Sequence, residues 1–125
     1  MRRFVEEAAT AFKADPDVIL DIVQAVDESA ANIIMHGYRG QPGPIEIAVR
    51  GDGTSLVIHL RDQATPFDPT SVPPPDLTLP LERRPIGGLG VYLTRLLVDE
   101  MRYHMTPQGG NELTLVKKIR PRVAA

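Results

Sequence analysis

Between Pro66 and Pro85 the chain carries seven of its 12 prolines, three of them consecutive at Pro73, Pro74 and Pro75. Proline has no backbone N–H to give to a strand ladder, and its ring clashes with the preceding helical turn. Neither a strand nor a helix can therefore run through this stretch. Residues 63–86 are read as an irregular loop, and a loop of that length inside a compact chain is typically a lid or a binding loop. It divides the sequence into a leading and a trailing part that must supply regular elements around it. At 125 residues in all, neither part is long enough for a core of its own, so residues 1–125 are read as a single domain.

The leading part opens with an amphipathic helix over residues 2–13, with Phe4, Val5, Ala8, Ala11 and Phe12 at helical spacing. Asp15-Pro16 then reads as an N-cap followed by proline at the first helical position, where its missing N–H costs nothing. A second helix is expected from Pro16 to His36, with Gly37 as its stop. Ile19, Ile22, Val23, Val26, Ala30, Ile33 and Ile34 form one apolar face. Asp21, Gln24, Glu28 and Asn32 fall on the opposite side, with Glu28 and Asn32 one turn apart and stacked.

Ile45, Ile47 and Val49 alternate as in a half-buried strand, and Leu56, Ile58 and Leu60 do the same, so residues 45–61 read as a β-hairpin around Gly51-Asp52-Gly53. Asp62 stands just beyond the second strand. After the proline loop, Gly87-Gly88-Leu89-Gly90 tightens the chain ahead of a helix over residues 91–101. Two further strands follow, over 101–105 and 112–119, around a turn at 108–111. The order α-α-β-β-loop-α-β-β predicts an α+β fold, a two-layer sandwich with helices on one face of a mainly antiparallel sheet.

Composition removes several function classes. A net charge of −2 and a pI near 5.9 do not suit a general nucleic-acid binder. No apolar run approaches the ~20 residues of a membrane span. Glu6 and Glu7 interrupt what would otherwise follow Arg2 and Arg3 as a signal-peptide core. The absence of cysteine excludes disulfides and thiolate metal sites and fits a reducing compartment, so a cytoplasmic protein is the default expectation. The only lysines are Lys13, Lys117 and Lys118. A P-loop needs a lysine after its glycines and a eukaryotic-type protein kinase needs one on an early strand, and neither signature is present.

Three places carry residues suited to chemistry, each with two readings. Glu28 and Asn32 form E-x-x-x-N: a wet helix face, or a carboxylate able to take a proton beside a carboxamide able to ligate Mg²⁺. Asp62 is either a turn aspartate bonding its own backbone or an acceptor for an exocyclic amine such as that of adenine. Gly87, Gly88 and Gly90 are either a loop exit or a helix start whose N–H groups can approach an anion.

Taken in order, a helical E-x-x-x-N, an aspartate after a hairpin, a proline-rich loop and a G-x-G helix start resemble the GHKL ATPase/kinase superfamily. Within it the chain is similar to the small anti-sigma factor serine-protein kinases of bacterial partner-switching systems. The likeness covers about residues 2–119: DESAANIIMHGY resembles the N box, RDQATPFDP the first glycine-box region, and GGLGVYLTRLLVDEMRY the second glycine box and its helix. It implies a GHKL ATP-binding fold, with a mixed, mainly antiparallel sheet of four or five strands. It implies Glu28 as general base, Asn32 as the Mg²⁺ ligand and Asp62 as the partner of the adenine amine. Residues 68–86 would be the ATP lid. Ala64, Phe67, Gly87, Gly88, Leu89 and Gly90 would line the nucleotide, and Arg83 and Arg84 would reach the γ-phosphate, although both arginines also read as solvating residues of the lid. Three histidines are present. His36 is expected to pack at the helix end, and His59 and His104 on strands.

The resemblance further implies ATP and Mg²⁺, an anti-anti-sigma (STAS-type) protein as phosphoryl acceptor, a sigma factor as a second partner, and a homodimer. Two departures stand out. The family's D-x-G is Asp62-Gln63-Ala64 here, and alanine costs stability wherever glycine's positive φ is needed. The strand that usually precedes the first helix is missing, which predicts an unpaired sheet edge covered by a partner subunit. These departures favour the competing reading, a binding module of the same fold that sequesters a partner without phosphorylating it. Glu28 and Asn32 favour the kinase.

Overall fold

In the computed structural model, which describes residues 1–74, 76, 78–80 and 88–120, the elements follow the predicted order. They are α1 (Arg2–Ala11), α2 (Pro16–Asn32), β1 (Ile45–Gly51), β2 (Ser55–Asp62), α3 (Gly88–Leu97), β3 (Glu100–Met105) and β4 (Asn111–Lys118). A single turn of 3-10 helix, Pro69–Ser71, opens the proline-rich loop. The sheet has four strands in the order β1-β2-β4-β3. Every pairing is antiparallel, so the mixed sheet expected from the resemblance is purely antiparallel among the described residues. β1 and β3 are the edge strands among the described residues.

Alternation decides what each face of the sheet holds. Leu56, Ile58 and Leu60 of β2, with Leu113 and Leu115 of β4, point to the helices and join Val5, Ala9, Val18, Ile22, Val23, Ala25 and Val26 in one core. Ile45, Ile47, Val49 and Met101 pack against it from the edge strands. Burying a Leu, Ile or Val is worth about 1.5–3 kcal/mol, so this single apolar layer fixes the register of all four strands. Asp62 has the same parity as Leu60. It lies at the end of β2 opposite Asn111 of β4, with its side chain on the core-facing side. It is therefore the last residue of the strand, one position inside the boundary that the sequence suggests.

Three expectations need correction. α2 ends at Asn32, and Ile33–Gly37 continue as a π-helical turn. The Tyr38 N–H reaches the Ile33 carbonyl at 2.9 Å, and the Gly40 N–H reaches that of Ile34 at 2.8 Å. Such widened turns concentrate at functional sites, and this one sets Gly37 against Ala64: a Cβ at Gly37 would come within 2.7 Å of the Ala64 Cβ. α3 starts at Gly88 and stops at Leu97, because Asp99 leaves the helix to pair with β4, its N–H on Val116 O at 2.9 Å and its carboxylate on the Lys118 N–H at 2.8 Å. Asp15 occupies the N-cap position ahead of Pro16, but its side chain makes no cap hydrogen bond.

Candidate functional site

The polar side of α2 is exposed at Gln24 but partly covered where Glu28 and Asn32 stand. α3 packs against it there, at Gly90: a Cβ at that position would sit 3.2 Å from Glu28 Oε2 and 3.6 Å from Asn32 Oδ1. Gly90 thus has a role that its neighbours in the glycine cluster do not reveal. With no side chain, it lets the first turn of α3 lie directly on the carboxylate and carboxamide of α2. Both Glu28 and Asn32 are half-buried rather than standing on a fully solvated face. Leu89, one residue earlier, turns outward and is exposed.

Beside this pair a pocket of about 470 Å³, counting its open mouth, runs between α2, α3 and the ends of β2, β3 and β4. Asn32, Asp62, Phe67, Val91, Thr94 and Asn111 are among its lining residues. Its mainly apolar lining with a few placed polar groups is of the kind that small-molecule sites use. The buried Asp62 carboxylate accepts from the Ala64 N–H at 2.9 Å and from Asn111 Nδ2 at 2.8 Å, both on Oδ1. Those bonds hold the carboxylate still and leave Oδ2 for another donor. The turn reading of Asp62 is thus realised on Oδ1, while Oδ2 has no protein donor among the described residues.

Asn111 is the hub of the site and was not singled out from the sequence. Its Nδ2 reaches Asp62 and also the Ala64 carbonyl at 3.3 Å, while its Oδ1 accepts from the Phe67 N–H at 3.1 Å and the Tyr103 hydroxyl at 2.5 Å. One carboxamide thereby ties the end of β2, the start of the loop and β3 together. Burial, with Asp68 and Asp62 nearby, pushes the Tyr103 hydroxyl above its ordinary value, which keeps it a donor at neutral pH. The signal that would have found Asn111 is its cross-strand position opposite Asp62, which depends on knowing that β4 and not β3 lies beside β2. Arg95 of α3 is a second missed residue: its guanidinium donates to the carbonyls of Pro69 and Thr70 and fastens the start of the loop.

Ala64 carries no backbone strain. The only non-glycine residues with positive φ among those described are Lys13 and Arg39, so this position does not require glycine on conformational grounds. Its methyl sits against Gly37, and Ala64 is not among the pocket-lining residues. Phe67 lies over His36, with ring centroids 6.0 Å apart, at the pocket mouth. His36 therefore packs at the helix end, as expected, while His59 and His104 stand on strands facing the other side of the sheet. Arg83, Arg84 and Gly87 lie outside the described residues, as does most of the later part of the predicted lid; Gly88 is the first residue of α3. Among the described residues no cluster of three or more His, Cys, Asp or Glu could hold a metal ion by itself, and no helix is long and apolar enough to cross a membrane.

A model of the histidine kinase-like ATPase domain matches residues 1–117. Among curated proteins, the serine-protein kinases RsbW of Bacillus cereus (strain AH820) and Bacillus anthracis are each 33% identical to the chain over 90 residues, which is 69% of this chain and 56% of theirs. The RsbW of Bacillus thuringiensis (strain Al Hakam) matches with the same identity and coverage. The chain thus spans a little over half the length of these relatives.

Proposed function

From the premise that the chain belongs to the histidine kinase-like ATPase domain family, we propose that it is an ATP-dependent protein serine/threonine kinase of a partner-switching system. Its phosphoryl acceptor is a serine hydroxyl on an anti-anti-sigma (STAS-type) protein, and a sigma factor is its second partner. The similarity to proteins named serine-protein kinase supports the reaction class. The observation that carries the reading is the meeting of Glu28, Asn32 and Gly90 beside a pocket whose inner end holds a buried carboxylate with one uncommitted oxygen.

In this reading the adenine amine donates to Asp62 Oδ2, and the ring occupies the slot next to Phe67 and Val91. The phosphates then lie toward the N-terminus of α3, where Gly88, Leu89 and Gly90 offer backbone N–H groups and the helix dipole favours negative charge. The Asn32 carboxamide oxygen suits a Mg²⁺ ion that takes its remaining ligands from water and phosphate, so the lack of an acidic cluster is no obstacle. When bound, that ion would neutralise charge on the phosphate oxygens. Glu28 accepts the proton of the attacking serine hydroxyl as its oxygen bonds to the γ-phosphorus, and the bond to the β–γ bridging oxygen breaks to release ADP. The residues corresponding to the ATP lid, including Arg83 and Arg84, would close over the phosphates and exclude water. The open β1 edge supports reading the chain as a homodimer, which light scattering of the purified protein would test.

The direct test is incubation with γ-labelled ATP, Mg²⁺ and a purified STAS-type anti-anti-sigma protein. The expected outcome is label on a serine of that protein. A stable complex with no label transferred would overturn the kinase reading in favour of a sequestering module.

A further inference from the structure

One buried polar atom at the pocket has no partner among the described residues. Ser29 is 3% exposed, lines the pocket together with Asp62 and Asn111, and its Oγ has no hydrogen-bond partner among the described residues. A hydroxyl within a helix commonly turns back to the carbonyl four residues earlier. Thr94, facing the same pocket from α3, does so, its Oγ1 reaching the Gly90 carbonyl at 3.0 Å. Ser29 does not. Its neighbours along the buried stripe of α2 are Ile22, Ala25 and Val26, and alanine would fill the same place without desolvating a hydroxyl. Buried polar groups left unpaired in this way are rare and call for an explanation.

Around Asp62 and Asn111 most hydrogen-bonding capacity is already committed. Asp62 Oδ1 is filled by Ala64 and Asn111, and the Asn111 carboxamide is filled by Asp62, Tyr103 and Phe67. Two atoms of this buried group have no partner among the described residues: Asp62 Oδ2, which can only accept while ionised, and Ser29 Oγ, which can donate. A 6-aminopurine presents that pair on one edge, an amine donor flanked by acceptor ring nitrogens. We propose that Ser29 is a base-reading residue of the nucleotide site, its hydroxyl donating to a purine ring nitrogen adjacent to the amine that Asp62 accepts. The inference rests on the reading of this pocket as an ATP site and adds to it a second polar contact that selects the base.

Calorimetric titration of the wild type and Ser29→Ala with ATP, 1-deaza-ATP and 7-deaza-ATP tests it, alongside thermal unfolding of both proteins without nucleotide. Ser29→Ala is expected to bind ATP roughly 3- to 10-fold more weakly, the value of one neutral hydrogen bond. The two proteins should bind equally the analogue that lacks the nitrogen served by Ser29, and differ as before on the other analogue. Without nucleotide the variant should melt no lower than the wild type, because no internal bond is lost. Equal ATP affinity, or a loss that persists on both analogues, would overturn the inference. So would a lower melting temperature of the nucleotide-free variant, since the hydroxyl would then be serving the protein itself. If the wild type binds ATP and Ser29→Ala is indifferent, only this inference fails; if the wild type does not bind ATP, the reading of the pocket fails with it.

Discussion

On the outer face of the sheet, Arg61 bridges Glu112 and Glu46, while His59 and His104 flank the same Glu112 carboxylate oxygen, each at 3.6 Å. His59 also contacts the Thr114 hydroxyl at 3.0 Å and accepts from Arg50 at 3.3 Å. One residue along the same strands, on the inner face, Asp62 and Asn111 form an equally dense polar cluster. The two differ in what they leave over. Outside, charges of alternating sign lie opposite one another across neighbouring strands, and the carboxylate at the centre is surrounded by cations or potential cations. Inside, Asp62 keeps one oxygen and Ser29 its whole hydroxyl without a partner among the described residues. A saturated network stabilises a sheet face, while a buried network with two atoms lacking partners among the described residues calls for an explanation.

The sharpest way to break this comparison is to remove inner-face groups and find that only stability changes. Glu28→Gln, which keeps shape and loses the base, is expected to lower phosphoryl transfer roughly 10²- to 10⁴-fold with ATP affinity little altered. Single-turnover transfer and equilibrium binding measured on the same preparation separate the two effects, and unchanged transfer would remove Glu28 from the chemistry. Asp62→Asn comes next. It replaces an ionised acceptor with an amide, and ATP affinity is expected to fall about 10- to 100-fold, the range of a hydrogen bond to a charged group. Retained affinity would mean that Asp62 serves only the Asn111 hub.

Asn111→Leu probes that hub. It strips the Phe67 N–H and the Tyr103 hydroxyl of their acceptor and Asp62 of one donor, all at buried or partly buried positions. A loss of about 1–3 kcal/mol is expected from urea unfolding, with weaker nucleotide binding as a consequence of a loosened Asp62. This residue also marks the limit of what could be read beforehand. Element order, core parity and the pairing of Glu28 with Asn32 follow from periodicity, which is local. Asp62 and the glycines gained meaning only from their order along the chain and the resemblance it revealed. Asn111, Arg95 and the packing of α3 onto α2 are non-local: they depend on which strands are neighbours and on how closely two helices approach. Ser29 was legible in principle, as a lone hydroxyl in an apolar stripe, but periodicity cannot say whether such a hydroxyl has a partner.

The smallest expected effect tests the other side of the comparison. Burial pushes the Glu112 carboxyl up, but the hydrogen bond and charge of Arg61, helped by His104 and His59, outweigh it and hold the group below its ordinary 4.5. Burial, the largest influence on His59, depresses it below its ordinary 6.5 despite the attraction of Glu112. The signs follow from linkage. The folded state binds protons less readily than the unfolded chain at both groups, so stability rises with pH wherever the unfolded chain holds the extra proton. The His59 contribution is therefore lost as pH falls from about 6.5 toward its depressed value. The Glu112 contribution is complete above about 4.5 and is lost as pH falls through the lower folded value. Glu112→Gln should reduce stability by about 1 kcal/mol at neutral pH, since Arg61 is partly exposed and the pair partly screened. It should flatten the fall below 4.5 and leave the His59 step in place, extended downward because the carboxylate no longer helps that ring to protonate. ATP affinity should stay within about 2-fold, as for sites that share no partner. A larger drop would mean that Arg61 and Glu112, adjacent in the chain to Asp62 and Asn111, transmit strain through the backbone, and that the two faces act as one site.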